Sequence, residues 1–300
     1  PDIHLMVYKQ LIIFEHVNET VHLLAINVDH ESEEKLEQSL KKLKQALQEN
    51  IMMTDLEDTP IQFDPDISAE GFQNKVKLAK HYIEQGEALQ IVLSQRMKTP
   101  FHGDPLTFYR KLRRANPSPY MFYIDFEDYK IIGASPESLI QTTGDHIVTN
   151  PIAGTRPRGK NAEEDQLLEK ELLADRKEIT EHHMLVELSQ DDLKRVCHEQ
   201  DISVPVYMKV EKYQHVMHIV SEVHGKLKPG LSSIDALIAC LPAGTVSGAP
   251  KIRAMQIINE LEEKKRGVYA GGIGYIGFNR NLNMAIAIRS LIVKDGYAYL

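Results

Sequence analysis

The stretch from residue 119 to residue 149 constrains the fold more than any other part of this sequence. Apolar and β-branched runs follow one another there with only short polar turns between them, as in SPYMFYIDFEDYKIIGAS and ESLIQTTGDHIVTN. Such runs, separated by two polar residues, are typical of β-hairpins. We therefore predict strands over 119–126 and 129–135, followed directly by a second hairpin.

Helical periodicity occurs outside these hairpins and does not alternate regularly with strands. Helices are predicted over 31–50, from Ser68 to Gly86, from Asp104 to Asn116, within 161–195, over 232–240 and over 250–264, with a strand over 88–97 and a hairpin over 267–293. The lack of regular βαβ alternation indicates the α+β class. We expect large antiparallel β-sheets in a sandwich-like arrangement, with the helices packed outside.

Composition excludes several classes of protein. The 300 residues, 42% hydrophobic and 26% charged, are typical of a soluble globular chain with a sizeable core. A net charge of −8 with both signs interspersed argues against a nucleic-acid-binding protein. No apolar run approaches the ~20 residues of a membrane span, so no membrane partner is expected. The two cysteines form no pattern, which favours a cytoplasmic location.

Residues 1–65 and 66–300 are predicted to be separate units. The polar, proline-containing stretch 54–66 between them is typical of a linker. The sequence begins at Pro1 without an initiator methionine and stops at Leu300 within an apparent strand. We therefore expect the chain to be a piece of a longer protein.

Two loops rich in small residues are candidate anion-binding sites, PIAGTRPRG at 151–159 and PAGTVSGAPK at 242–251. The second precedes a predicted helix, where main-chain N–H groups can bind an anion that Gly244 and Gly248 allow to approach closely. A phosphate loop is excluded, because only three residues separate these glycines. The interpretations left open are a carboxylate site and a simple capped turn.

The predicted helix DRKEITEHHMLVEL carries Glu178, Glu181 and His182 on one face. Acids at this density are tolerated in water or beside a cation. One interpretation is a solvated face; the other is a Mg²⁺ site, since Mg²⁺ takes one or two carboxylates and keeps water or substrate oxygens as further ligands. The apolar run that follows favours a buried helix and therefore the metal site.

Three further side chains are candidates for binding or catalysis. Tyr269 and Arg289 lie on facing arms of the last predicted hairpin and can grip a carboxylate, although a structural Arg–acid pair is the alternative. His218 in HVMHIVSEVHG is a candidate acid or base. Zinc is not indicated there, because no third ligand is nearby.

Seven segments in this order resemble the chorismate-utilising enzymes: NPSPYMFY, SPESL, PIAGTRPRG, DRKEITEHHMLVEL, HVMHIVSEVHG, PAGTVSGAPKIRAMQ and YAGGIGYIGF. Within this family they are most similar to the large subunits of anthranilate synthases. The resemblance covers about 66–300 and implies a chorismate-binding catalytic domain there, truncated at its C-terminus. It implies that 1–65 is the remnant of an N-terminal region.

The same resemblance implies the substrate and its contacts. Chorismate carries two carboxylates, and the enolpyruvyl carboxylate would be held by Tyr269 and Arg289. Mg²⁺ at the ring carboxylate would be ligated by Glu181, helped by Glu178. The ring would be cradled by residues of the two loops, namely Gly154, Thr155, Ala243, Gly244 and Thr245.

Catalytic roles are implied in the same way. Glu137 of SPESL would protonate the departing C4 hydroxyl, which near neutral pH requires burial or a neighbouring anion to raise its pKa. His218 would assist the elimination steps, with Thr245 beside the reacting ring. The reaction implied is the conversion of chorismate and ammonia to anthranilate and pyruvate, the first step of tryptophan biosynthesis.

The resemblance also indicates where the nucleophile comes from. Some family members have a covalent lysine where this chain has Ala153, and others have a water-activating lysine where it has Gln90. With neither lysine, the nucleophile is expected to be ammonia from a glutamine amidotransferase partner, with Gln90 as a hydrogen-bond partner. The alternatives are an aminodeoxychorismate synthase component I that needs no lysine and a non-catalytic chorismate-binding subunit.

Two further segments concern regulation and a departure from the family's sequence pattern. Pro119, Tyr120 and Met121 match the segment where tryptophan binds as a feedback inhibitor, although a rigid, proline-bounded strand entry is the alternative. ELSQDDLKRV at 187–196 departs from the family's DLARND-G-RV pattern. This departure is expected to affect local packing or substrate contacts.

Overall fold

A computed structural model describes residues 3–49 and 61–300 of the protein. The chain separates into two units, Pro1–Asp55 and Leu56–Leu300. The first unit consists of an antiparallel hairpin of β1 (Gln10–Glu15) and β2 (Thr20–Ala25) and of helix α1 (Glu33–Ala46). Most of the predicted linker lies outside the described residues.

The second unit holds the remaining elements. Its strands are β3 (Asp64–Pro65), β4 (Gln90–Ile91), β5 (Met97–Pro100), β6 (Tyr120–Asp125), β7 (Tyr129–Ser135), β8 (Ser138–Thr143), β9 (His146–Thr149), β10 (Ile152–Pro157), β11 (Ser203–Lys212), β12 (Val216–Lys226), β13 (Gly248–Ala249), β14 (Gly272–Ile276), β15 (Leu282–Ile286), β16 (Ser290–Lys294) and β17 (Tyr297–Tyr299). Its helices are α2 (Ala69–Glu84), α3 (Pro105–Ala115), α4 (Ala162–Ala174), α5 (Arg176–Lys194), α6 (Ser233–Cys240), α7 (Gly244–Ser247) and α8 (Lys251–Leu261), with a 3₁₀ turn at Glu199–Asp201.

The predicted hairpins are confirmed, and they lie in two different sheets. Strands β6 and β7 end a six-stranded sheet of order β3-β5-β17-β16-β7-β6. Strands β8 and β9 belong to a seven-stranded sheet of order β10-β12-β9-β8-β15-β14, in which β11 pairs with the other edge of β12. All strand pairs in the described residues are antiparallel, which confirms the α+β class.

Apolar clusters show how the layers of the second unit pack. The two sheets contact each other through Ile131 of β7 and Ile273 of β14. Helix α3 covers the six-stranded sheet, where Leu112 packs near Ile132. Helices α5 and α6 cover the seven-stranded sheet with residues such as Val186. The expected sandwich with helices outside is therefore confirmed, and none of the helices in the described residues combines the length and apolar character that crossing a membrane requires.

Helix boundaries follow from side-chain caps. Ser68 Oγ accepts from the Gly71 N–H at 3.1 Å at the start of α2. Asp175 separates α4 from α5 and accepts from the Lys177 N–H at 3.0 Å, so the segment 161–195 holds two helices. A cap of this kind contributes about 1 kcal/mol, and here it fixes where the face carrying the two candidate metal ligands begins.

The prediction of a continuous strand over 88–97 is wrong in the middle of that range, because only β4 and β5 at its two ends pair with other strands. Side chains replace the sheet partner between them: the Ser94 N–H donates to Glu262 at 2.8 Å and the Val92 carbonyl accepts from Arg266 at 2.6 Å. Strand β14 is also shorter than predicted, since 267–271 forms a turn. In the first segment the main chain is held by partners that periodicity does not reveal, whereas the turn at 267–271 still bonds to Ala287 across the predicted hairpin.

Candidate active site

The first loop owes its shape to a β-bulge in β10. The pairing of β10 with β12 shifts register between Ala153 and Thr155, and Gly154 between them has a φ of +77°. A Cβ on Gly154 would also lie 3.1 Å from side-chain atoms of Ile219 and Leu172. Glycine is therefore required, and the bulge directs the Thr155 hydroxyl to within 2.9 Å of His218 Nδ1.

His218 is held as a neutral base. Its Nδ1 lies 3.3 Å from the Gly154 carbonyl, which can only accept, so we assign the proton to Nδ1 and leave Nε2 free to take one. Burial lowers the pKa of His218 below its usual 6.5; the bond to Gly154 partly offsets this, and the charge of Arg289 adds to the lowering. The electrostatic effect of Arg289 also indicates that the two side chains are near each other.

Glu137 lies in the turn between β7 and β8 and faces the second loop. Burial raises the pKa of its carboxyl to about 7, and the Thr245 hydroxyl partly offsets this rise. Thr245 Oγ1 is itself buried and has no well-formed hydrogen bond within the described residues. The two residues line a cavity of about 40 Å³ that is also lined by Pro151, Ala243 and Gly244. The structure thus brings the second loop, and Pro151 at the start of the first, to the candidate acid.

The glycines of the second loop pack against the chain itself. A Cβ on Gly244 would lie 2.8 Å from Leu188, and one on Gly248, whose φ is +135°, would lie 2.1 Å from the Gln90 carbonyl. The space beside Gly248 is therefore filled by the chain itself, whereas Gly244 still lines the cavity with Glu137. Gly248 instead lets the loop pair with β4, which brings Gln90 beside the site.

The candidate metal ligands Glu178 and Glu181 lie one turn apart on α5. Glu181 Oε1 accepts from Gln90 Nε2 at 3.1 Å, while Glu178 Oε1 lies 3.7 Å from Arg156 Nη1. Gln90 Oε1 is buried without a hydrogen-bond partner in the described part of the chain. This set of oxygen donors fits Mg²⁺. Residues 3–49 and 61–300 hold no cluster of three or more His, Cys, Asp or Glu side chains suited to a metal, so further ligands would come from substrate or water.

Tyr269 and Arg289 lie at the same end of the β14–β15 hairpin, where the Ala270 N–H donates to the Ala287 carbonyl at 3.0 Å. The Tyr269 ring is covered by the guanidinium of Arg266 at 5.5 Å. Arg289 is exposed, has a φ of +49°, and has no acidic side chain within ion-pair distance among the residues described. Within residues 3–49 and 61–300 Arg289 therefore forms no structural Arg–acid pair, which leaves its guanidinium as a candidate anion ligand.

The segment 119–121 lines a second, larger cavity between the two sheets. Its volume is about 380 Å³, and its walls include Pro119, Tyr120, Met121, Phe122, Ile273, Tyr275 and Asn283. Asn283 Oδ1 is buried and has no hydrogen-bond partner in the described residues. Sequence reasoning missed Asn283, and its only signal was a polar residue within an apolar strand.

The departing segment 187–196 contains a buried ion pair that sequence reasoning also missed. Lys251 Nζ lies 2.7 Å from Asp192, and both side chains are largely buried. Burial raises the pKa of Asp192 to about 6, although Lys251 partly offsets the rise. Asp191 and Lys194, which depart from the family pattern, form only an exposed pair with each other. At these two positions the departure changes the surface of α5, whereas Ser189 lines the cavity beside Glu137 and Asp192 joins α5 to α8.

Comparisons with known proteins identify the family of this chain. A sequence profile of the family described as chorismate binding enzyme matches residues 1–300, which extends the resemblance to the first unit. The chain is 44% identical to anthranilate synthase component 1 of Lactococcus lactis, over 100% of this chain and 66% of that protein. It is 49% identical to the Aquifex aeolicus protein of the same name, over 86% of this chain and 52% of that protein.

A solved structure also matches this chain closely. The crystal structure of anthranilate synthase component I from Streptococcus pneumoniae matches with a TM-score of 0.92 at 44% identity, over 98% of this chain and 66% of that one. The chain thus spans two thirds or less of the length of these relatives. Fold and sequence profile agree, and the chain belongs to the chorismate binding enzyme family.

Proposed function

We propose that this chain converts chorismate and ammonia to anthranilate and pyruvate, as the large subunit of an anthranilate synthase in tryptophan biosynthesis. The observation that carries the proposal is the buried carboxyl of Glu137, whose pKa of about 7 keeps an acid available near neutral pH. Relatives named anthranilate synthase component 1, at 44% and 49% identity, support the same reading. Cys197 and Cys240 are both free and buried, which supports a reducing, cytoplasmic location.

Substrate binding is proposed to depend on charge. Chorismate is a dianion, and Arg289 with the nearby Tyr269 would take the enolpyruvyl carboxylate. Glu181 and Glu178 would hold Mg²⁺, which when bound neutralises the ring carboxylate. The Ala243–Thr245 segment, which lines one cavity with Glu137, and the bulged Gly154–Thr155 segment beside His218 would face the ring from the two loops.

The proposed reaction begins with attack of ammonia on C2 of chorismate. The double bonds shift, the C4–O bond breaks, and Glu137 gives its proton to the departing hydroxyl, which leaves as water. No side-chain amine is required, because Ala153 and Gln90 occupy the positions where some family members have lysine. Gln90 Oε1, buried and unpartnered in the described residues, is available to accept from the amine.

The second half of the reaction forms the aromatic ring. His218 Nε2 would remove the C2 proton as a general base, the enolpyruvyl C–O bond would break, and the enolate that leaves would take up a proton to give pyruvate. The neutral state of His218 supports this role, because burial and Arg289 both hold its pKa below the usual value. Ammonia is proposed to come from a glutamine amidotransferase partner, in accordance with the name component 1 among the relatives.

The test is the reaction itself, run with this chain, chorismate, Mg²⁺ and a high concentration of ammonium. We expect fluorescent anthranilate to appear together with an equal amount of pyruvate. An amino-chorismate that accumulates without pyruvate would favour the aminodeoxychorismate synthase alternative and contradict the proposal. Binding of chorismate without any turnover would indicate a non-catalytic subunit.

We also propose that the cavity between the sheets binds tryptophan as a feedback inhibitor. Its volume of about 380 Å³ suits a small ligand, its walls are largely apolar, and Asn283 Oδ1 can accept from an ammonium group or an indole N–H. Gln141 Nε2 donates a hydrogen bond of 2.9 Å to the Tyr120 hydroxyl, which holds one wall of this cavity in place.

Tryptophan binding can be followed by the ligand's own emission, because the chain contains no tryptophan. We expect Asn283→Ala to weaken binding by about tenfold, since a hydrogen bond to a charged donor contributes roughly 1.5–3 kcal/mol. Asn74→Ala, at an exposed position on α2, is the control. Equal affinity in the two variants would contradict the assignment of this cavity.

A further inference from the structure

Arg266 joins three segments that carry candidate site residues. Its Nη1 donates to the Val246 carbonyl at 2.5 Å, and its Nη2 donates to the Val92 carbonyl at 2.6 Å. Its guanidinium also lies 5.5 Å from the centre of the Tyr269 ring, as a cation over an aromatic face. The side chain is only 16% exposed, so these contacts are made away from water.

Each contact is close to a residue with a proposed role in the reaction. Val246 directly follows Thr245, which faces Glu137. Val92 lies two residues after Gln90, the partner of Glu181. Tyr269 itself is a proposed ligand of the substrate carboxylate. One planar group thus spans segments that are distant in sequence and that have to keep a common geometry.

Glu262 fixes the orientation of this guanidinium. It accepts from Arg266 Nε at 2.9 Å and from Nη2 at 2.6 Å, which is a two-bond contact. Its Oε1 also accepts from the Ser94 N–H at 2.8 Å and hydroxyl at 3.0 Å. Burial alone would raise the pKa of Glu262, but the bonds from Arg266 and Ser94 outweigh it and leave the pKa below its usual value.

The segment after β4 depends on this pair, because it has no sheet partner for the Ser94 N–H or the Val92 carbonyl. Lysine would keep the charge opposite Glu262, but a single ammonium lacks the rigid fork that reaches two carbonyls and stacks on a ring. The arrangement therefore requires arginine for its shape as well as its charge.

We propose that Arg266, oriented by Glu262, is a positioning residue that holds the Thr245 loop, the segment after Gln90 and the Tyr269 ring in one reactive arrangement. This inference rests on the proposed function, since it acts through residues assigned there. Displacement of reacting groups by about 1 Å can cost on the order of 100-fold in rate, so loss of Arg266 is expected to slow the reaction even in the protein that remains folded.

The experiment compares Arg266→Met and Arg266→Lys with Arg253→Met. Arg253 is a matched control, because it also pairs with a glutamate, Glu87, and lies 5.5 Å from a tyrosine ring, that of Tyr82. Among the residues described, Arg253 makes no counterpart of the hydrogen bonds by which Arg266 contacts the Val246 and Val92 carbonyls. The readouts are kcat/KM for chorismate with ammonium, the melting temperature, and hydrogen exchange of main-chain amides.

We expect Arg266→Met to lower kcat/KM by about 100-fold. Exchange should accelerate in 90–94 and 243–248 together, while Arg253→Met changes neither. Arg266→Lys should recover most of the melting temperature without recovering kcat/KM, which separates positioning from stability.

Parent-like kcat/KM in Arg266→Met, at a temperature where it is folded, would overturn the inference. If the parent chain shows no turnover, the proposed function fails, and the exchange data then decide alone. Faster exchange in both segments supports the role of Arg266 in holding them, and unchanged exchange refutes it.

Discussion

Replacing Glu137 by glutamine is expected to lower kcat by about 10³-fold, within the usual range for a general acid, while chorismate still binds. Glutamine has nearly the same shape, so it fills the same position in the cavity beside Thr245. It cannot supply the proton that the departing C4 hydroxyl needs. Steady-state kinetics and calorimetric titration with chorismate measure the two quantities separately.

The pH profile makes this prediction sharper. Glu137 acts in its protonated form, and its pKa is about 7, so kcat/KM of the parent should fall about tenfold per pH unit above that value. His218 acts in its neutral form, and its pKa lies below 6.5, so activity should also fall on the acid side. In Glu137→Gln the alkaline decline with a midpoint near 7 should be absent from the residual activity.

Stability distinguishes loss of the acid from loss of the fold. The pKa of Glu137 is about 7 in the folded chain and 4.5 for an ordinary glutamate, so the folded state binds the proton more tightly. Its contribution to the free energy of unfolding therefore falls as pH rises from 4.5 through 7. At pH 8, Glu137→Gln removes a buried charge and should melt no lower than the parent.

Glu127→Gln is the control for this set, because Glu127 is exposed in the turn between β6 and β7. It should match the parent in kcat, in pH profile and in melting temperature. A kcat near the parent value in Glu137→Gln, or an alkaline limb that survives the substitution, would remove Glu137 from the role of acid.

The fold was predictable where its signals are local. The hairpins of 119–149 could be read from alternating apolar runs and short turns, and the helix starts at Ser68 and Asp175 from side chains that cap the next N–H groups. These interactions join residues a few positions apart in sequence, so they can be predicted from composition and spacing. The family motifs likewise led to the second loop, which lines one cavity with Glu137 and with Pro151 of the first loop.

What could not be predicted depends on partners far away in sequence. The strand over 88–97 breaks because Glu262 and Arg266 satisfy its main chain, and no pattern within the strand shows this. Gly248 was interpreted as room for a ligand, whereas its space is taken by the Gln90 carbonyl. The pair of Asp192 and Lys251 was missed for the same reason, since each residue alone resembles a surface charge.

Glu181→Gln is the second substitution with a large expected effect. The amide keeps the size of the side chain and can still contact Gln90, which now lies 3.1 Å from Glu181 Oε1. It removes the negative charge that a divalent ion requires, and such an ion contributes several kcal/mol of charge stabilisation. We therefore expect kcat/KM to fall by about 10³-fold at limiting Mg²⁺, with partial recovery as Mg²⁺ is raised.

The matched control lies on the same helix. Glu187 is 61% exposed and pairs with His183 across one turn of α5, so Glu187→Gln changes the helix charge equally without reaching the site. Calorimetry of chorismate binding with and without Mg²⁺ gives a readout that does not depend on turnover. In the parent and in Glu187→Gln, Mg²⁺ should strengthen chorismate binding, because the ion neutralises a carboxylate that the half-buried acids would otherwise repel. If Glu181→Gln binds chorismate with the same Mg²⁺ dependence, the face of α5 carrying Glu178 and Glu181 is a structural surface and the ion binds elsewhere.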